Sequence, residues 1–243
     1  MAYELREARA SYDGTPVLDG IGLSVEPGRI LVVLGPSGCG KSTLLHVIAG
    51  LKEMDSGERL GFAGKRFSYA FQEPRLLPWL RARDNAAFAL SGVMGKAEAE
   101  RRVDALLEAA GLEEAARLLP RQMSGGMRQR LSLVRAFAYP SDLLLLDEAF
   151  QAVDLPTKLE LMDVFLRLWK EEKRTVICVT HDIEEAVYLA DDILVLSERP
   201  ARRIGGFRVS APREGRELGS GSSLEDESRL YGLILGKGPA PGR

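Results

Sequence analysis

Nine residues constrain this chain more than any others: Gly35-Pro36-Ser37-Gly38-Cys39-Gly40-Lys41-Ser42-Thr43, which fill the pattern G-x-x-x-x-G-K-[ST]. They follow an uninterrupted apolar run, Ile30-Leu31-Val32-Val33-Leu34, of the kind that forms a strand buried on both faces. Behind them Leu44 to Ala49 continues as a helix that Gly50 stops. Strand, glycine-rich turn and helix in that order are the context a phosphate-binding P-loop requires. The glycines let backbone N–H groups turn toward an anion, and the helix N-terminus adds the positive end of its dipole. Lys41 can then reach the β- and γ-phosphates of a nucleoside triphosphate, and the Ser42 hydroxyl can serve Mg²⁺.

A chain of 243 residues with 45% hydrophobic content can bury one large core or two small ones. Its 33 basic and 35 acidic residues leave a net charge of −2, which supplies no Lys/Arg excess for binding DNA or RNA. Two cysteines, Cys39 in the P-loop and Cys178 in an apolar strand, suit a reducing compartment and suggest neither a disulfide framework nor a metal site. No window approaches the roughly 18–20 apolar residues a membrane span needs, so any membrane role is expected to be peripheral.

Residues 1 to about 34 alternate short extended runs with turn signals at Asp13-Gly14, Asp19-Gly20 and Pro27-Gly28, the pattern of a small antiparallel piece leading into the P-loop strand. A further β-prone stretch spans Gly57 to Phe71. From about Ala82 to Leu119 the periodicity is helical, with Val103, Leu106 and Leu107 on one face and Gly111 as a stop. Strand and helix alternate from Leu143 onward, through a helix near Thr157 to Lys170, a strand Thr175 to Val179, a helix from about Ile183 and a strand Ile193 to Leu196. A parallel α/β core is implied. Beyond Pro200 the composition shifts to Gly, Arg, Ser and Pro; 215–223 reads as a flexible linker, and Ser222-Ser223-Leu224-Glu225 as the cap of a short last helix toward Leu235.

At Leu143-Leu144-Leu145-Leu146-Asp147-Glu148 a central strand delivers two carboxylates to its C-terminal edge. In a chain that carries a P-loop, Asp147 is expected in the Mg²⁺ shell and Glu148 as the carboxylate that orients the water attacking the γ-phosphate. Between these motifs lies Met123-Ser124-Gly125-Gly126-Met127-Arg128-Gln129-Arg130, where Ser-Gly-Gly opens a second helix with an anion-seeking N-terminus.

This Ser-Gly-Gly-x-x-Gln-Arg run, placed between P-loop and Asp-Glu, resembles the signature of ATP-binding cassette (ABC) ATPases, and the resemblance extends through about residue 200. It implies an α/β P-loop NTPase core with a small antiparallel β subdomain, a helical insertion at about 82–140, and a Gly/Ser/Pro-rich tail over 201–243. It also implies roles for single residues. Tyr12 is similar to the aromatic that stacks on adenine, Gln72 to the Q-loop residue touching Mg²⁺ and the attacking water, Asp154 to the D-loop aspartate, and His181 to the switch histidine at the γ-phosphate. Ser124, Gly125, Gly126 and Gln129 then belong to a signature acting in trans, in a head-to-tail homodimer that holds two ATP molecules between P-loop and signature.

Phe71-Gln72-Glu73-Pro74-Arg75-Leu76-Leu77-Pro78-Trp79 resembles the Q-loop run of import ATPases of the nitrate, sulfonate, taurine and thiamine-precursor group, as does the ending Leu196-Ser197-Glu198-Arg199-Pro200. Members of that group are separate polypeptides, so the implied partners are integral membrane permease subunits and, indirectly, a solute-binding protein, with the chain at the cytoplasmic face of the membrane. Three departures stand out: a short segment from Lys41 to Gln72, Gln151-Ala152-Val153-Asp154 in place of Ser-Ala-Leu-Asp, and Met123 where Leu is usual. Other readings are an ABC-type ATPase working as a soluble machine without transport, and a P-loop kinase or regulatory nucleotide-binding module. The last has no use for Ser-Gly-Gly or Glu148. Cys39 is open to two readings, a thiol activated at a helix N-terminus or an inert core residue. Leu76, Leu77 and Trp79 are likewise either filling beneath the helical insertion or the lining of a permease-docking groove.

Overall fold

The computed structural model describes residues 2–151, 153–213, 216 and 221–236. Strands β1 (Tyr3–Tyr12), β2 (Thr15–Val25) and β3 (Ile30–Leu34) lead into helix α1 (Lys41–Ala49), followed by β4 (Ser56–Leu60) and β5 (Phe67–Ala70). Helices α2 (Ala82–Phe88), α3 (Lys96–Ala109) and α4 (Gly125–Ala138) come next, then β6 (Leu143–Asp147) and α5 (Leu155–Glu172). The succession ends with β7 (Thr175–Thr180), α6 (Ile183–Leu189), β8 (Asp192–Leu196), β9 (Arg203–Arg208) and α7 (Gly221–Ile234). Two compact units result, Met1–Lys65 with Thr175–Arg243, and Arg66–Arg174.

In the first unit β3 lies between β7 and β8 and runs parallel to both, with Leu34 opposite Thr180 and Val195. Every residue of β3 and β7 is buried, which is why Ile30–Leu34 and Val176–Val179 are unbroken apolar runs rather than alternating ones. The antiparallel piece expected at the N-terminus is present: β1 pairs with β2 across the Asp13-Gly14 turn, and β4 pairs with the other edge of β1. Both turn residues have positive φ, 48° and 76°, the geometry of a two-residue hairpin whose twist matches its strands.

One reading of this unit needs correction. Asp19-Gly20 is not a turn but lies inside β2, beside the irregular register between Ala8 and Ala10 of β1. Gly20 takes φ 71° there, and the Asp19 carboxylate accepts from Arg9 at 3.1 Å and Arg202 at 2.6 Å, so an apparent turn signal serves a bulged strand. The Gly57-to-Phe71 stretch is two strands in different sheets, β4 on β1 and β5 on β6.

Residues 203–208, part of the segment read as a tail, form β9 antiparallel to β8. Gly205 and Gly206 look like linker residues but are close-packing ones: a Cβ on Gly206 would meet the Ile193 carbonyl at 2.5 Å, and one on Gly205 the Leu233 side chain of α7 at 2.8 Å. The last helix begins at Gly221, next to the expected cap. Most of the expected linker, 215 and 217–220, lies outside the described residues.

In the second unit β5 and β6 pair in parallel, Ala70 opposite Leu146. The unit's largely aliphatic core holds an aromatic cluster, with Phe165 packed between Phe137 and Phe150 at centroid distances of 5.9 and 5.7 Å. Full burial of each such ring contributes roughly 1.5–3 kcal/mol. Helix α3 turns Ala99, Val103 and Leu107 inward, while Leu106 is half-buried, and Gly111 follows the helix at φ 64°. The carbonyls at the end of α4 receive two guanidiniums, Arg102 donating to Phe137 and Ala138 at 2.9 and 2.7 Å and Arg174 to Phe137 at 2.7 Å; Glu172 pairs with both arginines. Cations at a helix C-terminus satisfy carbonyls that lack partners within the helix. Burial pushes the Arg174 pKa down from its ordinary value, against the pull of Glu172.

Candidate functional site

The first unit carries the phosphate cradle. Residues 35–40 leave the C-terminal end of β3, and Lys41 opens α1. Gly40 takes φ 124°, and a Cβ there would come within 2.8 Å of Val17 Cγ1, so only glycine allows the loop to close onto β2 and enter the helix. Lys41 is buried and its Nζ donates to the carbonyls of Gly35 and Pro36, each at 2.9 Å, which anchors the ammonium across the loop. Pro36, Ser37, Gly38 and Ser42 are exposed on the same turn, and Gly40 and Thr43 are half-buried.

His181 belongs to this unit and follows β7 directly, at the strand end where the Gly35 N–H donates to the Thr180 carbonyl at 3.2 Å. The parallel register therefore brings His181 to the edge from which the P-loop departs. Asp182 caps α6 by accepting from the Glu185 N–H at 2.9 Å, which fixes the chain's exit after His181. Tyr12, the expected adenine platform, ends β1 with an exposed ring, and Lys52 Nζ sits 4.4 Å from its centroid. Cys39 is only 1% exposed. Its Sγ points under the loop, 3.1 Å from where a Cβ of Gly35 would stand, so the structure favours the inert reading.

The second unit carries the carboxylates. Asp147 ends β6 and Glu148 follows at φ 48°, a left-handed conformation that costs a non-glycine residue on the order of 1 kcal/mol or more. Tyr69 of β5 donates its hydroxyl to Asp147 Oδ2 at 2.8 Å.

Gln72 is exposed on the loop after β5, and its carbonyl accepts from Gln129 Nε2 at 2.8 Å. Gln129, a residue of the expected signature, thus uses its buried side chain to hold the backbone after β5. Along the same helix Arg135 donates to the carbonyls of Pro74 and Arg75, both at 2.7 Å, and burial pushes its pKa down. Asn85 of α2 completes the set: its carboxamide accepts from the Leu77 N–H at 2.8 Å and donates to the Leu80 carbonyl at 2.9 Å. No spacing rule marks Tyr69 or Arg135 in advance, because each acts on a group far away in sequence, and Asn85 acts locally, on the turn that precedes its own helix.

Ser124 caps α4 by accepting from the Met127 N–H at 3.2 Å, with Ser124 and Gly125 exposed. A Cβ on Gly126 would lie 2.7 Å from Thr157 Cγ2, so this glycine also permits α4 and α5 to approach. Asp154 stands exposed at the N-cap of α5, and its D-loop neighbour Ala152 lies outside the described residues.

Beside the Q-loop the second unit has a groove of about 400 Å³ walled by Phe67, Tyr69, Phe71, Leu77, Phe88 and Tyr139. Phe88 is 62% exposed and Trp79, on the adjoining loop, 71%. Leu76 and Leu77 are half-buried. Among the described residues no helix is long and apolar enough to cross a membrane, and no group of three or more His, Cys, Asp or Glu side chains could hold a metal by itself.

A P-loop between parallel strand and helix, and a strand-end Asp-Glu pair on the same chain, define a P-loop NTPase of the α/β class. The ABC transporter family matches residues 18–151. The chain is 37% identical over 243 residues to aliphatic sulfonates import ATP-binding protein SsuB 1 of Agrobacterium fabrum, covering 100% of this chain and 87% of that one. It is 43% identical over 229 residues to the protein of the same name from Pseudomonas aeruginosa, covering 88% and 90%. A dimeric ATP-binding cassette solved in a post-hydrolysis state with ADP and Pi superposes with a TM-score of 0.70 at 27% identity, covering 85% of this chain and 100% of that one. The chain belongs to the ABC transporter family, as an ATP-binding, ATP-hydrolysing cassette.

Proposed function

We propose that this cassette is the ATP-hydrolysing subunit of an importer for an aliphatic sulfonate or a related small solute such as taurine or nitrate. It works as a head-to-tail homodimer at the cytoplasmic face of the membrane, docked under separate permease subunits that a solute-binding protein supplies. Nucleic acid has no part in the reaction. Relatives named for sulfonate import, alike over nearly their full length, support the solute class. The observation that carries the docking is the groove of the second unit, an apolar cleft with exposed Phe88 and Trp79 at its margin and the Q-loop as its neighbour.

In this reading Lys41 and the amides of residues 35–43 bind the phosphates. Tyr12 receives the adenine, and Ser124, Gly125 and Gly126 of one subunit complete the site of the other, while Gln129 of the same signature acts within its own chain on the Gln72 backbone. Glu148 orients the attacking water, His181 contacts the γ-phosphate, and Asp154 lies at the subunit boundary. The cofactor is Mg²⁺, with Ser42, Gln72 and Asp147 as its side-chain donors; when bound it neutralises charge on the transferring phosphoryl group. These donors fit a hard cation, since all offer oxygen, and Mg²⁺ is ordinarily held by one or two carboxylates plus substrate phosphates rather than by a protein cage. Closing the dimer around ATP and opening it after hydrolysis moves the permease halves.

The test is reconstitution. Co-expressed with the permease subunits of a sulfonate importer and placed in liposomes with a matching binding protein, the cassette should drive ATP-dependent uptake of an aliphatic sulfonate. Co-purification with ribosomes or DNA in place of a permease contradicts the reading.

A further inference from the structure

We propose that Tyr69 is a positioning residue for ATP hydrolysis, its hydroxyl holding the Asp147 carboxylate from the wall of the docking groove. The inference rests on the reading of Asp147 as a donor to Mg²⁺. In the parallel pairing of β5 with β6, Tyr69 stands opposite Leu145, and the alternation of side chains puts Asp147 on the same face one step further along. The diagonal brings the phenol to Asp147 Oδ2 at 2.8 Å.

The ring itself is fixed. It stacks on Phe71 at 4.2 Å between centroids and 25° between planes, and the Arg75 guanidinium covers Phe71 at 3.9 Å. A carboxylate whose Oδ2 is engaged by a fixed donor is restricted in its rotation about χ2. Hydrogen bonds of this outer kind typically carry about 10- to 100-fold of metal affinity or activity. Tyr69 and Phe71 share one face of the chain at β5, and both wall the groove, so the side chain that orients the carboxylate is also part of the docking surface.

Tyr69→Phe keeps the ring and its stack and removes only the donor. Binding of a fluorescent ATP analogue is measured in EDTA and across a Mg²⁺ titration, with hydrolysis followed in parallel. The expected result is unchanged affinity in EDTA, a half-saturating Mg²⁺ concentration raised about tenfold, and a comparable fall in kcat. A purely structural tyrosine would shift both binding curves together. The second arm repeats the substitution in an Asp147→Asn background, where loss of the hydroxyl should add little to the Mg²⁺ titration. A Tyr69→Phe variant that titrates like the parent, or an effect equally large in the Asp147→Asn background, overturns the proposal while leaving the Mg²⁺ reading intact. A parent protein whose nucleotide binding and hydrolysis ignore Mg²⁺ overturns that reading, and the proposal with it.

Discussion

Gln129, 3% exposed on α4, donates from Nε2 to the carbonyl of Gln72 at 2.8 Å, so the helix that begins with the signature holds the first residue of the Q-loop by its backbone. Arg135 repeats the arrangement lower on the helix, at Pro74 and Arg75. Gln129→Leu fills the same space without the donor. The variant should fold and bind nucleotide, show faster amide exchange over residues 72–76, and hydrolyse ATP about tenfold more slowly, since small misplacements of positioning groups carry rate penalties of that order or more. Hydrogen exchange with mass spectrometry, read beside kcat, checks both parts; parental exchange and rate would remove the Q-loop role.

The groove prediction uses the most exposed apolar residues at its margin. Phe88→Glu and Trp79→Glu alter side chains that are 62% and 71% exposed, so stability should stay within about 0.5 kcal/mol of the parent. Co-purification with permease subunits and solute uptake should be lost, while nucleotide binding by the isolated cassette persists. Urea denaturation separates this from unfolding. Variants that still assemble and transport would assign the groove another role.

Cys39 and Cys178 are both buried, at 1% and 0% exposure. A maleimide should therefore leave the native chain unlabelled and modify both thiols in denaturant. Mass spectrometry after a timed pulse decides; rapid native labelling of Cys39 that ATP blocks would return it to the class of activated thiols.

How much the sequence discloses depends on what each residue does. The P-loop is legible because close approach to phosphate demands glycine, lysine and a hydroxyl at fixed offsets, and the core strands because burial on both faces demands continuous apolar runs. β9 is not legible: its Gly205-Gly206 pair carries the composition of a linker, and only the packing of Leu233 and the Ile193 carbonyl shows why side chains are absent there. Asp19-Gly20 misleads for a similar reason, a bulge and an ion pair sharing the residues of a turn. At the candidate site Asp147, Glu148, Gln72 and His181 could be picked out by motif. Tyr69 and Arg135 could not, because their value lies in reaching a carboxylate or a carbonyl that only strand pairing and helix packing bring near.

The most direct test of the account is Glu148→Gln, which keeps the shape and hydrogen-bonding reach of the side chain but removes the charge that orients water. With MgATP the variant should run as a dimer in size-exclusion chromatography with light scattering, hydrolysing ATP on the order of a hundredfold or more slowly than the parent. Lys41→Ala, lacking the ammonium over the loop, should stay monomeric under the same conditions. A Glu148→Gln chain that remains monomeric with MgATP, or turns over at the parental rate, contradicts the assignment of Glu148 and the ATP-closed dimer on which the transport cycle depends.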